Sequence, residues 1–475
     1  MNKINLFNYG SVNEPVIYFR GNLVTLGELI LLVESLLKNI PKHKFLLNLY
    51  EERFFFVVGL LMGIRQNNLS LFPSTISEFI FEYLSDNYTS ILALSDEDIE
   101  ADFITYKISE HCIEFLNSEV KNYDIAESLL QKYYSSLDLK KELAIIFTSG
   151  STGFPKPYYK QLGDLLAANY LTDKLLEATR QTEKTKTLQA LVATVPAQHM
   201  YGLEWSILFA FQHGLLMHSD KPFFPQDVSN CLQELAALRD YHTQITIITT
   251  PLHLKACVSN QVLLPHLKQF ISATAFLDKS LVKQCSNFYQ ASILEIYGCT
   301  EVGSMAYRNR NSKQADLHWQ TLEDISLEPM DNDVRVLTNR SIKQFLLHDN
   351  IKLIDAHNFH LEGRKEDIIN LAGKRTSMAY LNHHLQSFEQ FSDACYYEEK
   401  NGDLSRLIAF AVVKEGNDLS NQKKMNRKVK DYLKTKIEAV FLPKNIYYID
   451  NLPRNATGKL PKSELKTLLS ICRSS

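Results

Sequence analysis

The sequence predicts an α/β protein: a large layered N-terminal region with mostly parallel sheets, followed by a small, mobile α+β C-terminal domain. Two observations carry this. Up to about Gly363, short continuous apolar runs alternate with helix-like segments. Runs without polar alternation suit strands covered on both faces, and strand–helix alternation argues for parallel sheets flanked by helices. Beyond Gly363 the texture changes to paired strand candidates around an Asn401-Gly402 turn signal, set between helical patterns. The expected division is 1–363 and 364–475.

In chain order, Phe45 to Leu49 reads as a strand, Glu51 to Arg65 as a buried helix and Leu69 to Phe72 as the next strand. Further strands are expected over Ser90 to Leu94, Leu191 to Val195, Ile245 to Thr249 and Ser292 to Ile296. The second region should hold a helix over Ala379 to Phe391 and strands Ala394 to Tyr397 and Leu407 to Val413. An amphipathic helix over Gln422 to Ile437, a strand Asn445 to Ile449 and a last helix complete it. The longest apolar run, Phe54 to Ile64, is about half of a bilayer span, which argues for a buried helix.

Composition excludes several classes. The 51 Lys and Arg balance 54 Asp and Glu, so no nucleic-acid partner is expected, and the basic run Gln422 to Lys430 reads as a solvated helix face. Seven cysteines without a Cys-x-x-Cys pair indicate neither a disulfide framework nor a zinc site. The N-terminal MNKINLFNYGSVNEP lacks the apolar core of a signal peptide, so a cytoplasmic protein without a membrane span is expected.

The stretch IIFTSGSTGFPK, Ile145 to Lys156, carries the most chemistry. A strand leads into Thr148, Ser149, Gly150, Ser151, Thr152 and Gly153, then Lys156. Hydroxyls and backbone amides can converge on an anion, glycines permit close approach, and the lysine adds a full charge. Phe154 and Pro155 separate the last glycine from the lysine, unlike a Walker A loop. Alone, such a loop reads equally well as a Ser/Gly-rich surface turn.

Three further stretches narrow the choice: YGCTE (Tyr297 to Glu301), HDNIKLIDAHNFHLEGRKEDIINLAGKR (His348 to Arg375) and LPRNATGKL (Leu452 to Leu460). Together with the loop, in this order and over nearly the whole chain, they resemble the adenylate-forming superfamily of acyl-CoA synthetases, peptide-synthetase adenylation domains and luciferases. The resemblance implies attack of a carboxylate on the α-phosphorus of ATP, release of pyrophosphate, and transfer of the acyl group to a thiol. Positioning and electrostatics would supply most of that catalysis.

By the same resemblance, Thr148, Ser149, Ser151, Thr152 and Lys156, with Gly150 and Gly153, would hold the β- and γ-phosphates. Glu301 matches a magnesium-associated glutamate, Thr300 a residue near the α-phosphate, and Tyr297 a ring packed against adenine. Asp349 and Arg364 match residues that hold the nucleotide. Lys459 matches the lysine bridging carboxylate and α-phosphate, and Glu366 the interdomain hinge. His199, within VPAQHMYGLE, would lie near the carboxylate tunnel, with Met200, Tyr201 and Trp205 as core or pocket lining. Cys299 reads as packing. Two segments depart from the family: LLHD replaces the usual Tyr-x-Thr-Gly-Asp, and ATAFL (Ala273 to Leu277) a glycine-rich loop near adenine.

FTSGSTG-x-PKP, with Pro157 where glycine is usual, joins QHMYGLE, EIYGCTE, NLAGKRTSMAYLN and LPRNATGKLPK. These look like the compact acyl-adenylating ligases of aryl polyene and xanthomonadin-type pigment clusters. That implies an aryl or acyl carboxylic acid, ATP and Mg2+, and CoA or a phosphopantetheinylated acyl carrier protein as acceptor. A degenerate ligase retaining nucleotide without turnover is the alternative that the two departures motivate.

Overall fold

Fully covered apolar strands build two largely parallel sheets in the computed structural model. It describes residues 3–73, 76–99, 101, 103–118, 121–149, 155–167, 187–238, 241–310, 318–331, 333–347, 349–364, 368–371, 374–401, 404–416, 421–454 and 460–474. The chain divides into two compact units, 1–326 with 338–343 and 327–337 with 344–475.

In the first unit, one sheet runs in the order Pro155–Gln161, Glu142–Ser149, Leu69–Phe72, Phe45–Asn48, Ile91–Leu94, Ile104–Tyr106. All its neighbours are parallel except the edge pair, where Pro155–Gln161 folds back antiparallel on Glu142–Ser149. Pro155 and Pro157 lie on that edge strand, where a missing N–H costs no ladder bond. The second sheet has parallel strands Pro15–Phe19, Leu216–His218, Thr187–Ala193, His242–Thr249, Leu267–Ser272 and Ser292–Cys299 side by side. Gly303–Arg310 and Trp319–Thr321 then follow antiparallel. The α/β class with mostly parallel sheets is therefore observed.

Arg53–Gln66 is the expected buried helix, covered at every position from Arg53 to Ile64. A helix that is apolar all round has no water-facing stripe and belongs inside a core. Among the described residues, no helix is long and apolar enough to cross a membrane. Arg53 is a buried charge at the start of this helix. Its guanidinium donates to Val195 O at 3.0 Å, to Asp220 O at 2.9 Å and to Ser206 Oγ at 3.3 Å.

The second unit holds strands Phe391–Asn401, Leu404–Val413 and Ile446–Tyr448 under helices Met378–Gln386, Gln422–Lys434 and Lys462–Ser474. The helix expected to reach Phe391 stops at Gln386. Phe391 instead opens a strand opposite Val413, and its ring packs on Phe388 and Tyr448. Apolar residues at helical spacing had hidden that change of period. The basic run lies on the amphipathic helix, whose buried positions are Met425, Val429 and Leu433.

Arg53→Ala should destabilise the first unit by about 3 kcal/mol, because it strands buried carbonyls and leaves a void. Both tryptophans, Trp205 and Trp319, lie in that unit, so urea unfolding followed by tryptophan fluorescence reports it. An unchanged midpoint would mean that these carbonyls find other partners.

Candidate active site

The chemistry gathers where the edge hairpin of the first sheet meets the turn after Ser292–Cys299. In the hairpin, Lys156 pairs with Thr148 and Pro155 with Ser149, so the ends of the hydroxyl-rich loop are held in register. Residues 150–154, including Gly150, Ser151, Thr152 and Gly153, lie outside the described residues. Thr148 is half-buried and Lys156 exposed.

Side chains two apart on a strand share a face, so Lys156, Tyr158 and Lys160 point the same way. That face meets the YGCTE turn. Tyr158 Oη donates to Glu301 Oε1 at 2.8 Å, and Lys160 Nζ to the Glu301 carbonyl at 2.6 Å. The Lys156 ammonium lies 5.1 Å from the Tyr158 ring centroid, and contact with the Tyr158 hydroxyl raises its pKa. Burial by itself would raise the Glu301 carboxyl. Hydrogen bonds from its own N–H, Tyr158 and Cys299, with the Lys160 charge, outweigh burial and hold it below the ordinary range. Glu301 is thus an ionised, half-buried oxygen donor, the chemistry a hard cation such as Mg2+ requires.

Two residues of this contact, Tyr158 and Lys160, were missed from the sequence, although the alternation Lys-x-Tyr-x-Lys was a signal for one strand face. Tyr297 is half-buried with its ring 5.6 Å from Trp319, which in turn lies 4.2 Å from the Arg308 guanidinium carbon. Thr300 is half-buried. The Cys299 thiol is pushed above its ordinary pKa by burial and then by Glu301, so it is no ready nucleophile.

Behind the turn stands a second carboxylate. His199, half-buried, precedes the short helix Met200–Gly202, which continues as a π-helix over Leu203–Leu208. Gly202 is required there, because a Cβ would meet Pro196 O at 1.8 Å. The π-helix presents Glu204, fully buried, to Ser304: Ser304 N–H donates to Glu204 Oε2 at 3.2 Å and Ser304 Oγ at 2.7 Å. Trp205 Nε1 donates to Ser304 Oγ at 2.9 Å. Arg340 Nη1 donates to Val302 O at 2.7 Å and Ser304 O at 2.8 Å, while its other nitrogens hold Asp324. Burial lifts the Glu204 carboxyl to about 7, with Ser304, Arg340 and Lys160 opposing it. Tyr201 Oη lies 2.8 Å from Ile271 O and 3.2 Å from Thr249 O, stapling two neighbouring strand ends.

In the second unit, the antiparallel register sets Asp349 opposite Arg364. Asp349 is half-buried and lines a cavity of about 260 Å³ with Asp331, Asp333 and Asn350. Arg454 forms a two-pronged pair with Asp393, at 2.6 and 2.8 Å, fixing the start of the LPRNATGKL segment on the sheet of that unit. Lys459 and Glu366 lie outside the described residues. Elsewhere, His218, Asp220 and Cys231 bring ligand atoms within 4.8 Å of one another. Both His218 nitrogens are already engaged, Nδ1 by Asp220 N–H and Nε2 by Glu234, each at 3.2 Å. That cluster reads as structural.

The fold is the one seen in adenylate-forming ligases. The ATP-bound MatB of Rhodopseudomonas palustris superposes with a TM-score of 0.73 at 15% identity, covering 99% of this chain and 100% of that one. A 4-coumarate–CoA ligase of Cereibacter sphaeroides is 26% identical over 313 residues, 66% of this chain and 69% of its own length. VraA of Staphylococcus haemolyticus, named provisionally as a long chain fatty acid-CoA ligase, is 22% identical over 384 residues, 76% of this chain and 79% of its own. The AMP-binding enzyme profile matches residues 90–354 and the AMP-binding enzyme C-terminal domain profile 385–459. This chain belongs to the AMP-binding enzyme family.

The Glu204 shift fixes the sign of a pH effect. Its folded pKa, about 7, lies above the ordinary 4.5, so the folded state binds the proton more tightly. Stability contributed by the protonated form is full below about 4.5 and is lost as pH rises toward 7, on the order of 3 kcal/mol. Glu204→Gln should flatten that part of the profile. Urea midpoints at pH 5 and pH 8 check this, and an unchanged difference between them would remove Glu204 as the cause.

Proposed function

We propose that this protein is an ATP-dependent acid–thiol ligase that acts in the cytoplasm on an aryl or acyl carboxylic acid. A carboxylate oxygen attacks the α-phosphorus of ATP, a new P–O bond forms, and the bond to the β-phosphate breaks with loss of pyrophosphate. A thiol then attacks the acyl carbon of the acyl-adenylate, a thioester forms, and AMP departs. Membership of the AMP-binding enzyme family and the CoA ligases among the relatives support this class. The observation that carries the site is the lock between Tyr158, Lys160 and Glu301, which joins the lysine-bearing strand to the glutamate turn.

In this proposal Lys156 and the hydroxyls of Thr148, Ser149, Ser151 and Thr152 hold the departing pyrophosphate, with Gly150 and Gly153 allowing the close approach. Glu301 would hold Mg2+, which when bound neutralises phosphate charge. Thr300 would lie near the α-phosphate, Tyr297 would support the adenine, and Asp349 with Arg364 would receive the ribose. His199 would border the carboxylate. Lys459 would bridge carboxylate and α-phosphate, its compact charge suiting both. The 364–475 domain would swing about Glu366 between the two half-reactions. The motif resemblance to aryl polyene and xanthomonadin-type ligases favours an acyl carrier protein as acceptor over free CoA.

Carboxylate-dependent pyrophosphate–ATP exchange tests the class: exchange with at least one acid of a broad aryl and fatty panel is expected. ATP binding by calorimetry without any exchange would instead support the degenerate alternative. Lys459→Ala should lower exchange by about 100-fold or more and leave transfer from a preformed acyl-adenylate largely intact. Equal loss of both would overturn the bridging role.

A further inference from the structure

We infer that Glu204 is a positioning residue for the metal-binding turn: presented by the π-helix, it fixes the Val302–Ser304 backbone and so aims Glu301 at the metal–nucleotide. The inference rests on the ligase proposal for the role of Glu301.

The turn between Thr300 and Ser304 is gripped at four backbone atoms by three buried polar side chains. Lys160 takes the Glu301 carbonyl, Arg340 the Val302 and Ser304 carbonyls, and Glu204 the Ser304 N–H. Glu204 also sets the path of the chain. Gly303 has φ +89°, a left-handed conformation, and a Cβ there would meet Glu204 Oε1 at 2.3 Å. The carboxyl group thus lies against the Cα of Gly303, two residues from Glu301, and the left-handed backbone there favours glycine.

The π-helix accounts for the delivery. Glu204 and Trp205 are consecutive, yet both reach Ser304. In an α-helix consecutive side chains diverge by about 100°, whereas a wider turn brings them closer in direction. Single π turns recur at functional sites. The charged groups facing Glu204 are Arg340 and Lys160, and each holds the same turn from another side.

The test compares Glu204→Met, which keeps the volume and loses both acceptor oxygens, with Glu204→Gln, which keeps one. Mn2+ binding to the protein with ATP, without acid, is read by electron paramagnetic resonance as the loss of free Mn2+ beyond that caused by the same ATP without protein, beside kcat and KM for exchange. Loss of an outer-shell partner commonly weakens metal binding by about 10–100-fold. Glu204→Met should weaken ATP-dependent Mn2+ binding by about tenfold and lower kcat, with KM for the acid little changed. Glu204→Gln should recover most of both.

A folded Glu204→Met protein with wild-type Mn2+ binding overturns the inference, as would wild-type protein that binds no Mn2+ with ATP. If Glu204→Met fails to fold, Trp205→Phe, which removes the Nε1–H donor to Ser304 Oγ, should still weaken Mn2+ binding, and no change overturns the inference. Absence of exchange in the wild type counts against the ligase proposal alone, because the Mn2+ measurement still reads Glu204 directly.

Discussion

Buried polar side chains converging on a short turn are the constraint from which the described part of the site follows. Glu204 and Arg340 are nearly inaccessible, and Lys160 is buried on the hairpin strand. Each would be costly to bury alone, because desolvation of an ion exceeds what one hydrogen bond returns. Here each of these groups ends on backbone of the same turn, and Arg340 is further neutralised by Asp324 at 2.8 Å. The neighbouring Ser341 donates its N–H to Asp164 at 2.8 Å, tying the Arg340 loop to the segment after the hairpin. A left-handed Gly303 and a π-helix persist because the surroundings over-determine them.

The same contacts set the relation between the two sheets. Lys160 belongs to the edge strand of one sheet and Glu301 follows an interior strand of the other, so their bond ties that edge to the end of that strand. Ligands of open parallel sheets gather beyond the carboxyl ends of the strands. Thr249, Ile271 and Cys299 are at or next to those ends, and Tyr201 closes the gap between the first two. The edge position of the hairpin explains its tolerance of Pro155 and Pro157, which an interior strand would refuse.

Much of this was legible in the sequence, for a physical reason. Strands covered on both faces announce themselves as apolar runs, so the expected starts Phe45, Leu69, Ser90, Ile245 and Ser292 fell within a residue or a few of the observed ones. Phe391 misled because an aromatic ending a helical spacing and one opening a strand look alike until Val413 is known to face it. Motifs gave Glu301 and Lys156, but not Tyr158, which touches Glu301 across 143 residues. Arg340 was equally invisible: it acts on backbone carbonyls, which no side-chain pattern records. Glu204 stood in a quoted motif, yet its role depends on Ser304, 100 residues away.

Two glutamates near one lysine show how the fold separates roles that sequence cannot. Lys160 acts on both Glu204 and Glu301, yet their carboxyls shift in opposite directions. Glu204 is wholly enclosed, and Ser304 with two nearby cations does not offset that burial. Glu301 keeps partial contact with solvent and receives its own N–H, Tyr158 and Cys299 as donors, so its charged form prevails. Environment has therefore made one carboxyl a structural fixture and the other a ready anion. As the proposed ligand of a cation, Glu301 would act through its ionised carboxylate and would have to keep its place when the cation leaves. The donors to the Glu301 side chain meet the first requirement, and the grip of Glu204, Arg340 and Lys160 on the backbone beneath it meets the second.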